Sequence, residues 1–161
     1  MSDPFNLERF MRAQARVYQS VLEELTDGEK RTHWMWYIFP QIQGLGRTTT
    51  AQKYAISSMN EAIAYFDHAV LGPRLVECTK VVVDLNGRTA KQIFHSPDYL
   101  KFRSCMTLFE SAVPHVPIFH SALLKYYDGN RDQKTLDILK QQANESLTPR
   151  SPPDGLLGSS R

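Results

Sequence analysis

Nine consecutive residues, His33-Trp34-Met35-Trp36-Tyr37-Ile38-Phe39-Pro40-Gln41, set four aromatic rings and an imidazole side by side, just after the cations Lys30 and Arg31. A glycine-rich bend with a guanidinium, Gly44-Leu45-Gly46-Arg47, follows, and then Thr48-Thr49-Thr50 at a helix start. Together these residue types can seat an anion beside a planar ring. Glycines let backbone amides approach a ligand, a new helix points its positive end at the bend, and arginine offers a fork matched to phosphate or carboxylate. Gly44, Gly46 and Arg47 are therefore candidate anion ligands, Trp34 and Trp36 candidate stacking platforms, and Gln14 and Gln41 candidate amides for orienting polar edges. His33 adjoins the aromatics and is the candidate catalytic residue, since imidazole exchanges a proton near neutral pH. The competing reading makes the rings a core anchor with each indole N–H bonded to a carbonyl. The bend lacks the third glycine and preceding strand of a dinucleotide fingerprint, and it lacks the Gly-Lys-Ser/Thr of a phosphate loop.

A second cluster lies between Asp98 and Phe109. Lys101 and Ser104 share one side of an expected helix, while Arg103 and Thr107 share another at the border of its apolar stripe. Arg103 and Ser104 join the candidate ligand set, and Lys101 reads as a solvated charge. His68, His95, His115 and His120 show no carboxylate–histidine–nucleophile pattern and read as structural. Cys78 and Cys105 sit in apolar-periodic stretches and read as reduced core thiols, with no metal-ligand spacing around them. No metal and no cofactor is expected.

Helices must position these groups. Asp3-Pro4 opens the first, whose apolar stripe runs from Leu7 to Leu25 until Asp27-Gly28 stops it. Gln14 interrupts that stripe, and its amide either ties down a loop or reaches into a pocket. Phe39-Pro40 and the two glycines force a loop, and helical patterns resume at 49–57 and 59–66. Gly72-Pro73 fits a first helical turn, with Leu75, Val76, Val82 and Leu85 continuing at helical spacing; Val81-Val82-Val83 is also a possible strand, with nothing to pair it. Short helices through Phe94, from Ser96-Pro97-Asp98 to Val113, from Ile118 to Tyr127 and from Asp132 to Lys140 complete the pattern. The expectation is an all-α, compact single-domain bundle of about six to eight helices over residues 3–141, followed by a disordered tail at 142–161 rich in Asn, Ser, Pro and Gly.

With 42% apolar residues, 161 positions suffice for one substantial core but not for two ordinary domains. The 19 Lys and Arg nearly balance 17 Asp and Glu, so no long-range field favours nucleic acid or an anionic membrane, and any anion binding is local. No stretch approaches the length needed to span a bilayer, and a cytoplasmic address is expected.

The aromatic segment with Gly44-Leu45-Gly46 resembles the signature of domain-of-unknown-function family 1810. Supporting pieces are Asp3-Pro4-Phe5, Arg9-Phe10 and Ala13-Gln14 upstream, and Ala51-Gln52-Lys53-Tyr54-Ala55-Ile56 just after. Val70-Leu71-Gly72-Pro73-Arg74-Leu75, Ile93-Phe94, Ser96-Pro97-Asp98 and Lys101-Phe102-Arg103-Ser104-Cys105-Met106-Thr107-Leu108-Phe109 follow. The resemblance spans roughly Asp3 to Leu139 and implies a compact helical fold without an assigned activity. Members sometimes carry the label calpastatin, but an inhibitor that wraps a protease is expected to be extended and poor in apolar residues, unlike this chain. It also implies a fold similar to that of helical N-glycosidases acting on nucleotide-derived or ADP-ribose-type substrates, an analogy of fold alone. Two functions follow as expectations. One is binding or hydrolysis of a phosphorylated nucleotide-like small molecule at an N-glycosidic or related bond. The other is a non-catalytic helical module for protein interaction, with no particular protein partner indicated.

Overall fold

A computed structural model describes residues 2–147, which form ten helices and one isolated parallel bridge, Ile42 to Ile56. The helices are α1 (Glu8–Gln14), α2 (Tyr18–Thr26), α3 (Met35–Ile38), α4 (Thr49–Lys53), α5 (Met59–Asp67), α6 (Leu71–Asp84), α7 (Ala90–Phe94), α8 (Asp98–Ala112), α9 (Pro117–Tyr127) and α10 (Gln133–Leu147). The all-helical expectation holds, and the valine run lies inside α6. The count exceeds six to eight partly because the stripe from Leu7 to Leu25 breaks at residues 15–17 into α1 and α2. The break frees α1 and α2 to follow different neighbours, α1 against α3 and α2 against α6. α10 continues to Leu147, past the expected boundary at 142, and the rest of the expected tail, from residue 148, lies outside the described residues.

Local chemistry explains most helix ends. The Asp3 carboxylate accepts from the Leu7 and Glu8 amides at the start of α1, at 2.8 and 3.1 Å. Ser58 caps α5 through the Glu61 amide, and Thr89 with Gln92 forms a reciprocal capping box on α7. Pro117 opens α9, and Asp128 in the left-handed region closes it ahead of Gly129. Gly72 is required for a different reason: a Cβ there would stand 1.9 Å from the Phe66 carbonyl oxygen, so no side chain fits where α6 crosses the end of α5.

The core is organised around α8, which packs against α3, α5, α7, α9 and α10. Phe39 is fully enclosed, its ring 4.8 Å from Phe102, 5.8 Å from Phe94 and 6.2 Å from Trp34. Arg9 ties the N-terminal part to this core. Its guanidinium donates to the carbonyls of Phe5, Asn6, Lys53 and Ala55 and to Glu61 at 2.7 Å. Cys78 and Cys105 are free and buried, and burial pushes both thiols up, Cys78 to about 12. That environment makes them inert at neutral pH. No described helix is long and apolar enough to cross a membrane, and no group of three or more potential metal-ligating side chains occurs among the described residues.

Candidate functional site

The segment from Lys30 to Arg47 divides into an inward part and an outward part. Trp34 is 2% exposed, and its indole N–H donates to Glu24 Oε1 at 3.1 Å. That buried carboxylate also accepts from the Arg31 amide at 2.6 Å, the Thr32 amide at 2.9 Å and the Thr32 hydroxyl at 2.6 Å. Burial alone would push the Glu24 carboxyl up, but these four donors outweigh it and hold it below the usual carboxylate range. Glu24 therefore pins the turn that precedes α3. From there the chain turns outward, and the Ile42–Ile56 bridge, with Ile56 N donating to Gln41 O at 2.8 Å and Gln43 N to Ile56 O at 2.7 Å, fixes the loop after Phe39.

Outside this anchor, Trp36 from α3, Gln41, Gly46, Arg47 and Thr48 from the loop and Lys101 from α8 border a hollow of about 230 Å³, also lined by Leu45 and Ala51. Lys101 Nζ lies 5.7 Å from the centre of the Trp36 ring. A recess of about 20 Å³, room for roughly one water, adjoins it beside Trp36, Gln41 and Gly46. The Arg47 guanidinium, the Trp36 indole N–H and the Gln41 side-chain amide make no hydrogen bond or ion pair with any described residue. Gly46 is pressed against α4, where an added Cβ would meet the Ala51 Cβ at 2.5 Å. α4 is only five residues long, and its Thr48 cap already accepts the Ala51 amide, so it adds little of the helix-end field expected from the sequence.

A second hollow of about 280 Å³ shares Trp36 and is bordered by Lys30, Arg31, His33, His95, Ser96 and Asp98. Asp98 Oδ2 pairs with the buried Lys30 at 2.9 Å, and Oδ1 lies 3.6 Å from Lys101. His33 is exposed here and makes no side-chain hydrogen bond with a described residue. A further hollow of about 680 Å³ along α6 is walled by Phe66, Pro73, Val76 and Val81. Its polar groups are already engaged, Lys80 with Asp84 and Glu77 with the Tyr18 hydroxyl, so it offers no comparable recognition chemistry.

The chain matches, over residues 4–139, the family described as "Protein of unknown function (DUF1810)". It belongs to that family. Among solved structures it is similar to the crystal structure of the conserved hypothetical protein Rv1873 from Mycobacterium tuberculosis, at 51% identity and a TM-score of 0.85. That match covers 86% of this chain and 99% of the other. No curated protein matches the sequence.

Of the residues singled out in this family member, Trp36, Gln41, Gly46 and Arg47 come together, and His33 borders the adjoining hollow. The others lie elsewhere. Gln14 is 1% exposed; its amide donates to Tyr37 O at 2.8 Å and Tyr65 Oη at 3.2 Å, and its oxygen accepts from Arg74 at 3.2 Å. Trp34 is held by Glu24, and Gly44, at φ +110°, faces Ile138 of α10. Arg103 and Ser104 meet Asp132 at the start of α10, Ser104 Oγ donating at 2.9 Å and the Arg103 guanidinium lying 3.9 Å away. Lys101, read from the sequence as a solvated charge, is instead the cation α8 contributes. Residues 101 and 103 point in widely different directions around a helix, and the rotation of α8 against α3 decides which one faces Trp36.

Proposed function

We propose that the hollow beside Trp36 binds a small phosphorylated compound carrying a planar ring, with Arg47 and Lys101 facing the phosphate, Trp36 stacking the ring and Gln41 reading a polar edge. The observation that carries this is the convergence of three polar groups without internal partners on one concave, aromatic-walled space. Exposed polar groups are ordinarily satisfied by water, but a cation, an indole N–H and an amide arranged around one ring form a recognition surface for an anion with a π-face. The nearly neutral chain as a whole supplies no long-range pull, so the attraction is local.

Binding, rather than hydrolysis, is the function proposed. Among the described residues, Asp98 is the one carboxylate bordering either hollow beside Trp36, and lysines flank both its oxygens. Glu24 and Glu61 are occupied by donors of the fold. A proton relay through His33 to an N-glycosidic bond therefore has only its position beside Trp36 in its favour. Thermal-shift and calorimetric titration with AMP, ADP and inorganic pyrophosphate test the reading, because a ligand bound only by the native state raises its stability by mass action. Stabilisation by a phosphorylated ring compound that disappears in Arg47→Ala and Trp36→Ala is the expected result. A panel that leaves the melting temperature of the parent unchanged sinks it.

A further inference from the structure

We infer that the adjoining hollow is a second compartment of the same site, built for a hydroxyl-rich group such as a sugar carried by the phosphorylated ligand; this rests on the binding reading above. Size is the first argument. Neither hollow alone, at about 230 and 280 Å³, reaches the roughly 300 Å³ at which small-molecule sites usually begin, whereas the two together exceed it. They share the Trp36 ring, and Lys101, which borders the first, pairs with Asp98, which borders the second.

The chemistry of the two differs in a way that fits two parts of one ligand. Around the first, the open side-chain groups are the Arg47 guanidinium, which only donates, and the Gln41 amide, whose NH₂ donates and whose oxygen accepts. Around the second, the cations are already paired, Lys30 with Asp98 at 2.9 Å and Arg31 with Asp27 at 3.1 Å. What stays open there both donates and accepts. The His33 ring and the Ser96 hydroxyl make no hydrogen bond with a described residue. Asp98 Oδ1, 3.6 Å from Lys101, is beyond hydrogen-bond range of it and keeps its lone pairs. Paired cations do not favour an additional phosphate, while mixed donors and acceptors beside an aromatic ring match hydroxyls, which need both, and the C–H face of a sugar. His95 borders this hollow from a left-handed backbone, φ +65°, a conformation that non-glycine residues adopt at some energetic cost.

Paired probes that differ in the sugar and in the one phosphate charge that its bond removes test this: ADP against ADP-glucose, UDP against UDP-glucose and GDP against GDP-mannose, titrated calorimetrically. The expected result is that at least one sugar nucleotide binds about tenfold more tightly than its diphosphate, an ordinary gain for a few added hydrogen bonds. His33→Ala and Ser96→Ala, both exposed side chains outside the core, should each remove about three- to tenfold of that gain and leave diphosphate affinity unchanged. Asp98→Asn is a further arm, read alongside its circular dichroism because it also relieves Lys30 of its partner. Diphosphates that bind in an Arg47-dependent way with no gain from any sugar overturn the second compartment alone. A gain that survives all three variants overturns it too, placing the sugar elsewhere. No binding by any probe overturns both readings together.

Discussion

Glu24→Ala should destabilise the protein by roughly 2–6 kcal/mol, because among the described residues its carboxylate is the only partner of a buried indole and two backbone amides in the turn before α3. The largest part comes from Trp34. Its N–H is buried, and a buried donor left without a partner costs about 1–3 kcal/mol. The Arg31 and Thr32 amides belong to exposed residues and can recover water, so each loses about 0.5–1.5 kcal/mol. For a chain of this size each kcal/mol lowers the melting temperature by about 2–4 °C. Glu24→Gln keeps an oxygen for three donors and turns its amide toward the Thr32 hydroxyl, losing only the charge-assisted part, about 1 kcal/mol. The carboxyl also carries a pH signature. Because the folded protein holds it below its ordinary value of 4.5, its contribution is fully present above that value and disappears as pH falls through the lower, folded value. Chemical denaturation of parent and Glu24→Gln between pH 7 and pH 3 should therefore show a gap at neutrality that narrows as the solution is acidified below 4.5. Equal stability of the two at pH 7, or a gap that widens in acid, would refute the reasoning. An Arg47-dependent ligand should also bind Glu24→Ala more weakly, since the turn it pins leads directly into Trp36.

Other changes read other parts of the molecule. Gly46→Ala forces its Cβ against Ala51 at 2.5 Å and should cost about 1–3 kcal/mol while displacing Arg47, so both urea midpoint and ligand affinity should fall. Arg9→Leu removes the side-chain donor from four carbonyls, of which Asn6 O keeps the backbone amide of residue 9, and leaves Glu61 buried without its cation, a loss of about 3–5 kcal/mol by chemical denaturation. With its thiol pushed up to about 12, Cys78 should resist alkylation by iodoacetamide at pH 8 until the chain is unfolded, as should the fully buried Cys105. Lys101→Met should weaken binding of a diphosphate several-fold, by removal of a local charge, with little change in melting temperature, since its pairing with Asp98 at 3.6 Å is loose; Arg103→Met, by contrast, should leave affinity intact.

How far each conclusion could be read from the residues depends on the range of the interaction behind it. Ser58, Thr89 and Asp128-Gly129 act on amides or carbonyls within a few positions of themselves, so the sequence alone determined the helical character of the described residues and much of its punctuation, although Pro117, which reads as a stop after the preceding helix, opens α9. It also determined that one stretch, 33–47, concentrates rings, glycines and a guanidinium. It flagged Gln14 as a polar group needing partners, and those partners, Tyr37, Tyr65 and Arg74, lie 23 to 60 positions away.

Only the tertiary structure separated the two indoles. Trp34 and Trp36 are two positions apart in one short turn, and the presence of Glu24 beneath one and of open space beside the other sends them to opposite roles. Likewise Lys101 and Arg103 differ by about 200° of helical rotation, and no local pattern fixes the roll of α8. Packing of Phe102 against Phe39 and Phe94 fixes it, turning the lysine toward the hollow and the arginine toward Asp132. Side-chain direction at a site is set by contacts between distant segments, and those form only when the helices are laid against one another.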